Sequence, residues 1–257
     1  MRARGFIVPK ACEQAADCQD RFSINAATGS VAVCDGMSQS FFPKYWAEIL
    51  ASRYTADRDW FPSPENTAAL SVRWRDRVEG RLARFREAGV TPWRSESMLA
   101  EGCSAGSTLV GVRVDGNRWR CDVLGDSCLV ITEGDKIVEI CSSMDTARFD
   151  SYPDYFDSNP MMPGKGEVKT FSGTLTGKAL FLVTDPLGEY LSFVRGTVKE
   201  SVCIRELLSV ESVGEFDILV GYWRQDGMHN DDTTMVVLTD EDPQDDGVFK
   251  RQEEWLW

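Results

Sequence analysis

The 257-residue chain predicts an α+β fold of layered, mostly antiparallel sheets. Two observations lead there. The apolar segments run in the order strand, two helices, a series of strands, a helix, then strands, so helices do not alternate with strands as a doubly wound parallel sheet requires. The central strands are joined by tight turn signals, Asp115-Gly116-Asn117 and Glu133-Gly134-Asp135, and hairpins make antiparallel neighbours. Hydrophobic residues make up 42% and charged residues 27%, the balance of a globular protein long enough to bury a core without disulfide staples. No internal repeat or long linker divides the chain, so residues 1–257 read as one domain.

Val31 to Cys34 is a short apolar run stopped at Asp35-Gly36, which reads as a buried strand ending in a turn. Trp46, Ile49, Leu50 and Tyr54 have helical spacing. A second helix is expected from Ser63-Pro64, with Ser as cap and Pro at the first position, carrying the stripe Leu70, Trp74, Val78, Leu82 and Phe85 to a stop at Gly89. Arg73, Arg75, Arg77, Arg81, Arg84 and Arg86 make that helix basic, which reads either as a solvated face or as a docking surface. Ser107 to Val114, Trp119 to Leu124, Cys128 to Thr132 and Ile137 to Cys141 have strand periodicity. Ser142 to Lys169 is rich in Pro, Gly, Asp, Ser and Met and reads as a long loop or flap. Ala179 to Val183 reads as a strand, Ser192 to Val210 as a helix, and Phe216 to Tyr222 and Thr234 to Leu238 as strands. Asp240 to Trp257 is an acidic run closed by Glu-Glu-Trp-Leu-Trp, a frayed tail or a packed anchor.

Charge and rare residues exclude several functions. A net charge of −13 argues against a protein built to grip nucleic-acid phosphates. It suits one that collects cations. No segment approaches the roughly 18 apolar residues of a membrane helix, and Met1 to Lys10 lacks an apolar signal core. The eight cysteines form no C-x-x-C pair and several lie in apolar runs, so they read as buried free thiols in a reducing, cytoplasmic setting. His229 is the one histidine, which removes mechanisms that need two.

The informative residues are acids at strand ends. Asp35 and Asp185 end apolar strands, Asp231 and Asp232 precede a third, Asp126 lies in a turn between two more, and Asp20 shortly precedes the first. Aspartate is a poor strand former, and singly such a residue caps a turn. Converging at one sheet rim, these acids would repel one another unless cations neutralised them. Oxygen-only ligation selects hard ions such as Mg(II) or Mn(II).

The motifs around these acids resemble those of the metal-dependent serine/threonine protein phosphatases of type 2C, in a divergent bacterial-like form. Gln19-Asp20-Arg21-Phe22 is similar to the first acidic motif, and Val33-Cys34-Asp35-Gly36 to the Asp-Gly motif. Gly106-Ser107-Thr108 resembles Gly-Thr-Thr, Leu124-Gly125-Asp126-Ser127 resembles Gly-Asp-Ser, and Leu182-Val183-Thr184-Asp185 resembles Ser-Asp-Gly. Asp231-Asp232-Thr233-Thr234 resembles the closing Asp-Asn-x-Thr element. The match runs from about Gln19 to Leu238.

The resemblance implies two stacked antiparallel sheets flanked by helices and hydrolysis of phosphoserine or phosphothreonine by a water activated between two divalent cations. It implies that Asp35 bridges two ions and Gly36 offers its carbonyl, that Asp185 and Asp231 hold the first ion, and that Asp20 supports the second. Asp126 with Asp185 would hold a weaker third. The motif does not choose between Asp231 and Asp232. The implied partners are a phosphoprotein substrate and a Ser/Thr kinase, with no nucleic acid and no membrane.

The sequence departs from the family pattern in several places. Met37 stands where many members carry a histidine, Ala15 where the phosphate-binding arginine is expected, and Cys128 at the arginine of Gly-Asp-Ser-Arg. Pro186 and Asp232 replace the usual Gly and Asn. All five metal-site aspartates remain, which favours an active enzyme over a phosphoprotein-binding scaffold. Lys10, or an arginine from elsewhere in the chain, is the expected substitute at the phosphate.

A rival reading comes from Gly102-Cys103-Ser104-Ala105-Gly106, a literal G-x-S-x-G, followed in chain order by Asp185 and His229. A nucleophile elbow needs a strand before the serine and a helix after it, whereas the flanks of Ser104 read as helix then strand.

Overall fold

The computed structural model describes residues 2–144 and 153–240, together with the backbone of 250–253. In chain order the first half comprises β1 (Arg2–Val8), β2 (Arg21–Asn25), β3 (Ser30–Cys34), α1 (Pro43–Ala56), α2 (Pro64–Ala68), α3 (Ser71–Glu87) and α4 (Trp93–Ala100). The middle supplies β4 (Gly106–Ser107), β5 (Leu109–Asp115), β6 (Arg118–Leu124), β7 (Cys128–Glu133) and β8 (Lys136–Cys141). β9 (Tyr155–Asp157), β10 (Gly164–Lys165), β11 (Lys169–Thr174) and β12 (Lys178–Val183) follow. The chain then runs through α5 (Asp185–Val194), α6 (Glu200–Ser209), α7 (Val213–Gln225), β13 (Thr233–Thr239) and β14 (Lys250–Glu253).

Two large sheets form. One has the order β14-β1-β13-β12-β7-β8 and the other β11-β6-β5-β3-β2. Neighbours in both are antiparallel, except that β14 runs parallel to β1. β9 bridges β10 and β4 in a small third sheet.

The burial pattern explains the layering. Alternate residues of a strand face opposite sides. On β12, Leu180 and Leu182 join a core with Val31, Val33, Val110 and Val112 of the second sheet. Ala179, Phe181 and Val183 point the other way, against Leu187, Leu191, Ile204 and Phe216 of α5 to α7. On the outer face of the five-stranded sheet, Ala32, Cys34 and Leu109 pack against Trp46, Leu50 and Tyr54 of α1, with Trp74, Val78 and Leu82 of α3 behind. The result is a helix–sheet–sheet–helix sandwich, the α+β class the sequence predicts. Strands covered on both faces lose the clean apolar/polar alternation, which is why β12 and β13 read as continuous apolar runs.

Three expectations need correction. Phe216 to Tyr222 is not a strand but the middle of α7. Its apolar run is too short to separate the two periods, and the deciding signal is the cap: Ser212 accepts from the Glu215 amide at 3.3 Å, and the Glu215 carboxylate reaches back to the Glu211 amide at 2.7 Å. The helix expected from Ser192 to Val210 is two, α5 and α6, separated at 195–199. The helix from Ser63 is also two. Ser63 caps α2 by accepting from the Asn66 amide at 3.2 Å, but the chain turns at Ala69-Leu70 before α3 begins. Arg2–Val8, in the N-terminal segment without an apolar signal core, forms the sheet strand β1.

The expected flap is partly anchored. Trp46 Nε1 donates to the Phe156 carbonyl at 2.9 Å, and the Ala105 amide donates to Ser158 Oγ at 2.8 Å. Residues 145–152 of it lie outside the described residues, as do 241–249 and 254–257 of the acidic tail. The eight cysteines are free thiols: six are buried, Cys103 is half-buried and Cys12 is exposed. Among the described residues no helix is long and apolar enough to cross a membrane.

Candidate active site

Both sheets deliver carboxylates to one edge of the sandwich. Asp35 follows β3, Asp126 sits in the turn from β6 to β7, Asp185 opens α5 after β12, and Asp231 precedes β13. These four line one cavity of about 430 Å³, together with Met37, Thr108, Pro153, Glu189 and His229. Asp20, fully buried ahead of β2, lies close enough behind them to interact with Asp35 and Asp185.

The backbone that carries them is fixed. The Asp35 amide donates to Thr108 Oγ1 at 3.2 Å, its carbonyl accepts from the Thr108 amide at 2.9 Å, and the Thr108 hydroxyl bonds Ser127 at 2.7 Å. One threonine thus ties the loop after β3 to the turn holding Asp126. A Cβ on Gly36 would stand 2.9 Å from the Gln19 carbonyl, so only glycine lets the two motifs lie this close. Gly125, beside Asp126, has φ +98 and is likewise confined to glycine.

The electrostatics are those of acids without cations. Burial pushes Asp35 up to about 7, with further pressure from Asp126 and Asp231. Burial raises Asp126 to about 6. Asp185 and Asp20 are driven well above the carboxylate range, first by burial and then by Asp35. Asp20 Oδ2 accepts from the Thr234 hydroxyl at 2.7 Å, but its Oδ1 is buried with no donor, and so is Oδ1 of Asp126. A buried carboxylate oxygen without a donor is costly and calls for a ligand. The donors are all oxygen, the set that fits Mg(II) or Mn(II). No three His, Cys, Asp or Glu side chains among the described residues form a closed cage, so the acids share a cavity without preformed coordination.

Hydrogen bonding and cavity lining set the paired acids apart. Asp232 accepts from the Lys10 amide at 3.0 Å and the Gln19 amide at 2.6 Å, so both its oxygens staple the loop between β1 and β2. Asp231 instead faces the cavity.

Other expected residues fall differently. Ser104 lies between α4 and β4, with a helix before it and a strand after, the reverse of an elbow. Its hydroxyl pairs with Asp157, while Asp185 and His229 line the cavity without it. The three do not form a triad. Among the cavity-lining residues there is no Arg or Lys. Lys10 lines a neighbouring cavity of about 460 Å³ that meets the first at Ser38. Its Nζ pairs with Glu13 at 3.2 Å. Glu189, one turn after Asp185 on α5, went unnoticed in the sequence although its i+4 spacing puts both on one helix face. Pro153, from the flap, also borders the cavity.

No family model and no curated protein sequence matches the chain. Solved structures do. The structure of PppA, a key regulatory component of T6SS in Pseudomonas aeruginosa, superposes with a TM-score of 0.56 at 17% identity, covering 93% of this chain and 96% of that one. The serine/threonine phosphatase Stp1 from Staphylococcus aureus gives 0.56 at 16% identity over 93% and 95% of the two chains. The catalytic domain of the serine threonine protein phosphatase PstP, solved in complex with two manganese ions, gives 0.52 at 15% identity over 92% and 96%. At such identities the likeness concerns the fold. The chain carries the fold of the type 2C serine/threonine phosphatases, the family its motifs resemble.

Proposed function

We propose that the chain is a cytoplasmic phosphoprotein phosphatase that hydrolyses phosphoserine and phosphothreonine with Mg(II) or Mn(II), acting as one catalytic domain. One observation carries this reading: carboxylates from both sheets share a cavity, and among the described residues Oδ1 of Asp126 in it and Oδ1 of Asp20 behind it are buried without a donor. Asp35, Asp185 and Asp231 would hold two ions with the Gly36 carbonyl, supported by Asp20, and Asp126 with Asp185 would hold a third. When bound, the ions compensate phosphoryl charge and lower the pKa of water.

The chain's own residues do the rest. Thr108 fixes the Asp35 backbone against the Asp126 turn. Asp232 holds the loop carrying Lys10 beside the cavity mouth. With Met37 at the family's histidine position, the thioether there has no proton to give the leaving group, and water would take that part. A kinase or kinase substrate is the proposed partner, an inference from the fold family.

The test is hydrolysis of p-nitrophenyl phosphate and a phosphothreonine peptide with Mn(II), Mg(II) or EDTA. Turnover that needs metal, disappears in Asp35→Asn and survives Ser104→Ala is expected. Folded protein inert under every metal would overturn the phosphatase reading and leave a phosphoprotein-binding scaffold. Turnover indifferent to EDTA but lost in Ser104→Ala would restore the serine hydrolase.

A further inference from the structure

The basic helix found in the sequence is not explained by the cavity chemistry. On α3, Arg73, Arg77, Arg81 and Arg84 are all exposed. At about 100° per residue they fall within roughly 80° of one another, a single stripe. The stripe flanks the buried face of Trp74, Val78 and Leu82, on the side turned to α1.

The charges in this stripe are poorly compensated. Arg77 pairs with Glu48 of α1 at 2.6 Å. Among the described residues neither Arg73, Arg81 nor Arg84 has an acidic partner, although the chain carries 41 acidic residues against 28 basic ones. The Arg81 guanidinium lies over the Phe85 ring at 4.5 Å. By contrast, Arg75 and Arg86 on the other flank pair with Glu79 and Glu96. Like charges at i, i+4 destabilise a helix, so Arg73, Arg77 and Arg81 are not there for the helix itself.

The stripe continues toward the cavity. Lys44, near the start of α1, donates to the Ala16 carbonyl at 2.6 Å. That carbonyl belongs to the loop whose Lys10, Asp17 and Gln19 line the second cavity. Burial lowers the Lys44 pKa, and Arg21 and Arg81 lower it further, so cations are crowded here. At the opposite end a groove of about 480 Å³ between α1 and α3 carries Arg53, Arg73 and Arg77 against Glu48 and Asp76. The positive surface therefore runs along α3 and ends at the loop that lines the second cavity.

We propose that the arginine stripe of α3, with Lys44 at its end, is a docking surface for an acidic segment of a partner protein. Charge complementarity selects the occupant: an Asp/Glu-rich stretch supplies carboxylates to Arg73, Arg81 and Arg84, none of which has an acidic partner among the described residues. Nucleic acid is the poorer fit, because a net charge of −13 repels a long polyanion while a short acidic segment meets only the local field. The surface acts in recognition and orientation, and it stands whether or not the cavity turns over phosphate.

The test is fluorescence anisotropy of a short labelled poly-glutamate peptide against the full chain. Saturable binding is expected, weakening as NaCl rises from ~50 to ~200 mM. In Arg73→Glu/Arg81→Glu/Arg84→Glu it should fall by about tenfold or more. The milder Arg73→Gln/Arg81→Gln/Arg84→Gln, with a wild-type circular dichroism spectrum and melt, should fall by less but in the same direction. No binding by wild type at low salt would overturn the proposal. So would unchanged affinity in both triple variants. A single-stranded oligonucleotide bound more tightly through the same arginines would overturn the protein partner in favour of nucleic acid.

Discussion

Two groups of buried acid stand at opposite extremes. Asp122, on the outer face of the five-stranded sheet, is fully buried and completely served. Tyr54 and Arg113 donate to its Oδ2 at 3.1 Å each, while Thr170 at 2.8 Å and Arg120 at 3.2 Å donate to its Oδ1. Arg113 in turn lies 3.7 Å above the Tyr54 ring and donates to the Trp60 carbonyl at 2.6 Å. Asp20 is as deeply buried, yet one of its oxygens has no donor, and its neighbours are other acids. The fold supplies its own cations where an acid holds elements together. At the sheet rim, among the described residues, no arginine or lysine lines the cavity the acids share. Burial alone therefore does not distinguish a structural acid from a functional one; the identity of its partners does.

Four outcomes would break or sharpen this contrast. The largest concerns the rim. Asp185→Asn should lower metal-dependent turnover of p-nitrophenyl phosphate by at least about a hundredfold, the scale of losing several kcal/mol of transition-state stabilisation. Retained turnover would remove Asp185 from the site.

Next in size is the served acid. Asp122→Ala leaves the Arg113 guanidinium buried without its carboxylate and should cost about 3–5 kcal/mol in urea unfolding. A loss under about 1 kcal/mol would mean that Asp122 is no keystone and that the contrast is false.

The third outcome is a pH effect. An acid whose pKa is higher folded than unfolded favours the fold when protonated. The penalty is absent below the unfolded pKa of about 3.9, grows as pH rises, and is complete above the folded value. With Asp126 at about 6 and Asp35 at about 7, metal-free protein should lose stability from pH 5 to pH 7.5. Its Tm should fall by at least about 3 °C over that range, and saturating Mn(II) should flatten the slope. A metal-free Tm that climbs instead would show that the rim acids do not repel as described.

The smallest separates Asp231 from Asp232. Asp232→Ala strands two backbone amides and should cost about 1–3 kcal/mol in urea unfolding. Asp231→Ala, which frees only the Asp232 amide now bonded at 2.9 Å, should instead weaken Mn(II) binding in calorimetry with a smaller loss of stability. Reversed effects would exchange their roles.

Much of the fold was legible in the sequence because its signals are local. The alternation of β5 to β8 and their glycine turns, the Ser63 cap and the Asp-Gly ending of β3 each depend on neighbours in the chain. Phe216 to Tyr222, one of the three corrected segments, is a short apolar run that fits either period, and only the cap upstream marks it as helix. At the site, Asp35, Asp126, Asp185 and Asp231 were visible as acids interrupting apolar strands. Glu189 and Pro153 were not, since neither breaks a local rule.

The strand-end acids, the turns between strands and the basic stripe follow from residue type and spacing along the chain. Only the tertiary structure decided that acids from two sheets share one cavity, that Ser104 stays out of it, and that Asp232 serves the backbone while Asp231 faces inward. The physical reason is distance along the chain. Asp20 meets Thr234, and Gln19 meets Asp232, across more than two hundred residues. Such partners are brought together by sheet pairing and core burial, and no local preference specifies them.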